Sequence, residues 1–194
     1  MIAAVGERAR AMILEFEGLD QPWDRPPGDS GITIGHGWDL GYYTVAELDD
    51  AWGKHLSAKS MALLRTAVGL KGAAAEAIEH SMLKCERITR EAAGDVFAHW
   101  TLPRWRVKAA EAFPGLDALT ADQQGALVSL VFNRGASMDG PRRTEMRAIR
   151  AILASDRPKK AALIAEQILA MRRLWPELLG LRRRRSAEAQ LFMS

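Results

Sequence analysis

Apolar residues return at three- and four-residue spacing along most of the chain, the repeat that lines one face of a helix. In residues 3–17 the apolar positions are Val5, Ala9, Ile13 and Phe16, with Glu7, Arg8 and Arg10 outward. This predicts an amphipathic helix that stops at Gly18, because glycine tolerates the left-handed conformation just past a last turn. Glu17 then stands at the helix end, and Glu15 lies round the helix from it as a solvated charge. Thr44-Val-Ala-Glu47 is a capping box for a helix with Val45, Leu48, Trp52 and Leu56 on one face. Further helices are predicted at about 58–68, 73–84 and 90–101, the last capped by Thr89 and carrying Val96, Phe97 and Trp100. Pro103 breaks or kinks the pattern before a helix at Arg104–Phe113, which Pro114-Gly115 ends. A second capping box, Thr120-Ala-Asp-Gln123, opens a helix with Leu127, Val128 and Val131 as core; Gly125 and Ser129 allow close packing, so it is expected to be central. It ends at Phe132-Asn133-Arg134-Gly135, and helices at about 143–154, 158–171 and 181–192 follow.

Only one stretch departs from this helical period. Ile32, Ile34, Trp38 and Leu40 are apolar, Thr33, His36 and Asp39 are polar, and glycines stand at 31, 35, 37 and 41. Two short runs around Gly-His-Gly predict a tight hairpin, with the glycines supplying positive φ. Counting outward from His36 pairs Ile34 with Trp38, Thr33 with Asp39 and Ile32 with Leu40. The apolar pairs then share one face, and Thr33 and Asp39 are expected side by side on a face left free of packing. The preceding Asp20–Asp29 loop holds Pro22, Pro26, Pro27 and Gly28, which exclude a helix, and it offers Asp24 and Asp29 as rival carboxylates.

The chain has 194 residues, 48% of them hydrophobic, enough for one sizeable core in a single domain of residues 1–194. The expected class is α+β, mostly α, with a β lobe at about 18–43 and a helical lobe at about 44–194 joined by the N-terminal helix. A single cysteine, Cys85, excludes an intramolecular disulfide framework. The N-terminal residues lack the basic start and long apolar core of a secretory signal, and no apolar run reaches membrane-spanning length. Synthesis in the cytoplasm as a monomer is the expectation. Net charge is +3, but Arg142 to Arg185 holds 13 Lys/Arg against 4 Asp/Glu, whereas residues 1–141 hold 14 against 19. That basic end suits an anionic surface, cell-wall polymer, nucleic acid or lipid, or serves as solvated helix faces.

Glu17-Gly18-Leu19, then Thr33-Ile34-Gly35-His36-Gly37, resembles the catalytic segment of phage-type lysozymes (endolysins). The longer Ser30-Gly-Ile-Thr-Ile-Gly-His-Gly-Trp-Asp-Leu-Gly41 is most similar to the pesticin-like muramidase branch. Leu119 to Gly135 and Gly180 to Glu188 resemble the family's later helices, in the family's order. The resemblance implies a two-lobed lysozyme-like fold and hydrolysis of the β-1,4 bond between N-acetylmuramic acid and N-acetylglucosamine in peptidoglycan. In many phage-type lysozymes the second carboxylate stands six residues before the threonine, where this chain has Pro27; the pesticin-like branch places it six residues after, at Asp39. By resemblance, too, Phe132 and Asn133 are candidate sugar contacts, with ordinary core and a C-cap as the alternatives, and Arg182 is the best match for an arginine paired with the catalytic glutamate.

Glycoside cleavage needs an acid for the leaving oxygen and a second group that activates water or stabilises the oxocarbenium-like state. Glu17 is the expected acid, kept protonated by a partly apolar setting that includes Phe16. Asp39 orients or deprotonates water, Thr33 holds that water, and His36 orients a neighbour by hydrogen bonding. Asp29 and Asp24 stay open as substitutes for Asp39. Nothing in the spacing of His and Cys implies a metal, and no phosphate-cradling motif implies another cofactor. Two alternatives accompany the muramidase: a lytic transglycosylase using Glu17 alone, and a helical module whose basic C-terminal helices bind nucleic acid, which the modest net charge disfavours. An enzyme made without a signal and acting on glycan strands in the wall also implies a pore-forming or secretion partner.

Overall fold

The computed structural model describes residues 5–194 and is mostly helical, with one two-stranded antiparallel sheet among the described residues. Its residues group into two compact units, Glu17–Thr101 and residues 5–16 with Leu102–Ser194.

The first unit is built on the hairpin of β1 (Thr33–Ile34) and β2 (Trp38–Asp39). Register is as the alternation predicts: Thr33 pairs with Asp39 and Ile34 with Trp38, while Leu40 donates to the Ile32 carbonyl at 2.9 Å. The turn closes on Gly35 and Gly37 at φ of 64° and 73°, conformations an L side chain resists. A 3₁₀ turn at Leu40–Tyr42 leads to α2 (Val45–Trp52), α3 (Ala58–Ala67), α4 (Gly72–Glu79) and α5 (Arg90–Val96). The Thr44/Glu47 capping box forms, with both reciprocal bonds made. Ile32, Ile34, Trp38 and Leu40 are sealed in one core with Leu48, Trp52, Leu64 and Val96 from these helices. Trp38 stacks on Tyr43 at 3.8 Å and meets Trp52 and Trp100 edge to face. A hairpin this short has no core of its own, so it borrows one from α2 to α5. The hairpin's unit therefore runs on to Thr101, well past the boundary near residue 43 that the sequence pattern had placed after a small β lobe.

Two predicted helices change type before they end. His80–Lys84, expected as the tail of the 73–84 helix, is 3₁₀, and Phe97–Thr101, expected as the tail of the 90–101 helix, is a π turn.

The second unit contains α1 (Glu7–Phe16), α6 (Leu102–Ala112), α7 (Ala121–Arg134), α8 (Thr144–Ala154), α9 (Lys160–Ala170) and α10 (Leu179–Phe192). The start expected for α1 at residue 3 lies outside the described residues. α6 follows the π turn without a break, so the helical run from Arg90 changes its winding just before Pro103 and continues past it instead of ending there. α7 is central, with Gln124 to Val131 all buried and α1, α6 and α10 packed against it. Gly125 permits the α1 contact: a Cβ built there would stand 2.0 Å from that of Ala9. The Thr120/Gln123 box caps this helix as well.

Candidate active site

α1 ends at Phe16, and Glu17 follows it half-buried, as the glycine after it predicted. The segment just beyond is fastened to the hairpin loop. Asp20 and Gly35 exchange backbone bonds of 2.7 and 2.9 Å, and Gly37 N–H donates to Asp20 Oδ2 at 3.2 Å. His36 Nδ1 lies 2.8 Å from the Gly18 carbonyl. A carbonyl can only accept, so Nδ1 carries the proton and the ring donates. His36 is 6% exposed and stands edge to face against Phe97 at 6.0 Å, which fixes the ring. The backbone of Glu17-Gly18-Leu19-Asp20 is thus held to the turn between Thr33 and Asp39.

The Thr33/Asp39 pair differs from expectation in one respect. Asp39 is partly open, but Thr33 is only 5% exposed, so the face is not free of packing at that position. The threonine hydroxyl turns back along its own strand and donates to the Gly31 carbonyl at 3.4 Å, keeping its lone pairs as acceptors. The Asp39 carboxylate is firmly seated. Gly31 N–H is shared between its two oxygens at 3.1 and 3.2 Å, and Gly41 N–H donates to Oδ1 at 2.8 Å, so Asp39 also caps the 3₁₀ turn. Oδ2 receives only the longer half of the shared bond, which leaves it capacity to hold a water.

Of the rival carboxylates, Asp24 and Asp29 are both exposed. Their loop is organised by Arg25, which donates to the carbonyls of Pro26, Gly28 and Ser30 at 3.0, 3.1 and 3.2 Å and faces Glu79 and Glu76. Asp20 is the carboxylate that sequence reasoning missed. Burial pushes its carboxyl above the usual aspartate range, against the Gly37 N–H and the charge of His36, with Asp24 adding to the rise. The available signal was weak: a Gly-x-Gly turn is open enough to accept a third extended segment, but nothing in the sequence says which one.

In the second unit, Phe132 lies near the end of α7, half-buried and edge to face with Trp105 at 5.2 Å, while Asn133 is exposed. The arginine run of α10 divides. Arg182 donates to the Pro176 carbonyl at 3.0 Å, whereas Arg184 and Arg185 are buried and converge on Glu188 Oε1 at 3.3 and 2.7 Å. Ser129 of α7 donates to the same oxygen at 2.6 Å. Arg184 also lies 5.9 Å from the rings of both Phe16 and Phe132, positions sequence reasoning did not assign to it.

Among the described residues no three His, Cys, Asp or Glu side chains come together to hold a metal, and no helix is long and apolar enough to cross a membrane. No family model and no curated protein matches the chain.

Proposed function

We propose that the chain is a peptidoglycan muramidase of the lysozyme-like, two-lobed kind, hydrolysing the β-1,4 bond between N-acetylmuramic acid and N-acetylglucosamine. The observation that carries this reading is the fastening of the Glu17 segment to the hairpin loop through Gly18, Asp20, Gly35, His36 and Gly37. It gives one carboxylic acid a fixed backbone relation to a hydroxyl and a second carboxylate, the set that glycoside hydrolysis needs. Glu17 protonates the leaving oxygen. Asp39, through Oδ2, orients or deprotonates the attacking water, and a lone pair of Thr33 Oγ1 positions that water. Separations of roughly 6.5–9.5 Å between such carboxyl groups leave room for the water and invert the anomeric centre. The enzyme reaches the wall through a pore-forming or secretion partner.

A second reading, lytic transglycosylase, is favoured by one observation: the Asp39 carboxylate already serves the amides of Gly31 and Gly41. A group spent on structure leaves Glu17 to act alone.

Mass spectrometry of purified peptidoglycan digested by wild type, Glu17→Gln and Asp39→Asn separates these. Hydrolysis gives fragments ending in reducing N-acetylmuramic acid, lost in both variants. Anhydro ends, each one water lighter, assign the transglycosylase and leave Asp39 structural. Products that persist in Glu17→Gln overturn Glu17 as the acid, and none from folded wild type overturns the enzyme.

A further inference from the structure

The helical unit of α1 and α6 to α10 contains a pocket of about 530 Å³ whose walls include Arg134, Arg142, Arg143, Asp139, Trp175 and Leu181. Its chemistry is one-sided. The guanidinium carbons of Arg134, Arg142 and Arg185 lie 4.8, 5.8 and 5.8 Å from the centre of the Trp175 ring, whose negative face draws cations together. Arg185 is matched by Glu188. The other three hydrogen-bond only to backbone: Arg134 donates to the Arg142 carbonyl at 2.5 Å, Arg143 to the Arg134 carbonyl, and Arg142 to the Leu174 carbonyl at 3.1 Å.

These three arginines have too few acids. Asp139 is the one carboxylate in the pocket wall, and Glu145, which also acts on Arg134, gives its Oε1 to Arg173 at 2.7 Å. Arg134 Nε and Nη1 and Arg143 Nη1 are shut from solvent with no hydrogen-bond partner. The strain shows in Arg134, whose pKa falls to about 10, first through burial and then through the like charges of Arg143, Arg185 and Arg142. Cations without anions are costly where they are partly buried, and one multiply charged oxyanion in the pocket supplies the missing negative charge.

We propose that this pocket binds a phosphoryl group, free or esterified, as the counter-ion of Arg134, Arg142 and Arg143. Three guanidinium charges against Asp139 leave an excess of two, which a phosphate near neutrality matches and a single carboxylate does not. Its tetrahedral oxygens accept from several directions, suiting donors that converge from the end of α7 and from the turn before α8. The proposal does not depend on the glycosidase reading, since it rests on the charges of this pocket alone.

The test is isothermal titration, at constant ionic strength, of the full chain with inorganic phosphate, glycerol 1-phosphate and acetate. The Trp175 indole N–H resonance is followed in parallel. Saturable phosphate binding is expected, weakened at least about tenfold by Arg142→Gln and by Arg143→Gln, the loss of one charge-assisted bond. Arg142 is exposed, so its variant keeps the fold. Tighter binding of glycerol 1-phosphate identifies an esterified phosphate as the natural group; equal or weaker binding identifies free phosphate. Absence of saturation by about 10 mM phosphate, unchanged affinity in both variants, a Trp175 resonance that does not move, or acetate binding as tightly as phosphate overturns the proposal.

Discussion

Gly31→Ala tests the seat of Asp39 directly. A Cβ at this position would lie 2.4 Å from Asp39 Oδ1, 2.7 Å from the Leu70 carbonyl oxygen and 2.8 Å from Gly41 N. Two of these are backbone atoms in separate segments, the 3₁₀ turn after β2 and the loop between α3 and α4, so no single rotamer change makes room. Forced overpacking of this kind costs about 1–3 kcal/mol. The Gly31 and Gly41 bonds to a carboxylate are displaced with it, for about 1–3 kcal/mol more. Against this, alanine narrows the unfolded ensemble, a gain of about 0.4–1 kcal/mol. The net is a loss of roughly 1–5 kcal/mol, a melting-temperature drop of about 2–20 °C in a chain of this size. Gly94→Ala is the control: it lies inside α5 with nothing within 4 Å of its Cβ position, and gains about 0.5–1 kcal/mol from helix propensity. Urea unfolding followed by circular dichroism reads both. A Gly31→Ala protein within about 0.5 kcal/mol of wild type, the ordinary range of harmless surface changes, refutes the close approach. So does a Gly94→Ala protein as damaged as Gly31→Ala.

Glu188→Ala should destabilise by about 3–5 kcal/mol in the same assay, because it strands the fully buried Arg185 guanidinium without its carboxylate; a loss under about 1 kcal/mol, the range of an exposed pair, contradicts that burial. Asp95 supplies a pH test. Hydrogen bonds from Lys54 and then His55 hold its carboxyl down to about 2, so the folded state favours the charged form. That stabilisation is complete above the usual carboxylate range and is lost as pH falls through about 2. The stability gap between wild type and Asp95→Asn should therefore close on acidification through that value, and a gap that is flat with pH rejects the assignment.

The hairpin was readable because two local rules agree there: a period of two in the apolar positions, and glycines where the turn needs positive φ. The same holds for the two capping boxes, whose bonds span three residues and need no tertiary partner. Legibility failed where the outcome depends on distant packing. Four consecutive arginines sweep round nearly the whole circumference of a helix, so every face of α10 offers one, and only the packing of α7 and α10 decides that Arg184 and Arg185 go inside while Arg182 meets a carbonyl. Thr33 was expected open because alternation assigns faces without saying what covers them. Asp20 escaped notice for a similar reason: its partner Gly35 is fifteen residues away, and backbone pairing leaves no signature in side-chain type.

The division of the chain into units also sets an order of events during synthesis. Glu17–Thr101 is one uninterrupted stretch, so the hairpin and its core can close while the rest is still being made. α1 has no such option. It emerges ahead of its packing partners, α7 and α10, so its apolar face stays uncovered until they are translated. The helix that delivers Glu17 is therefore written before its packing partners and secured only once they arrive. Until α10 arrives, Ala9 and Ile13 are exposed on the nascent chain, which makes that interval the one in which a chaperone has something to hold.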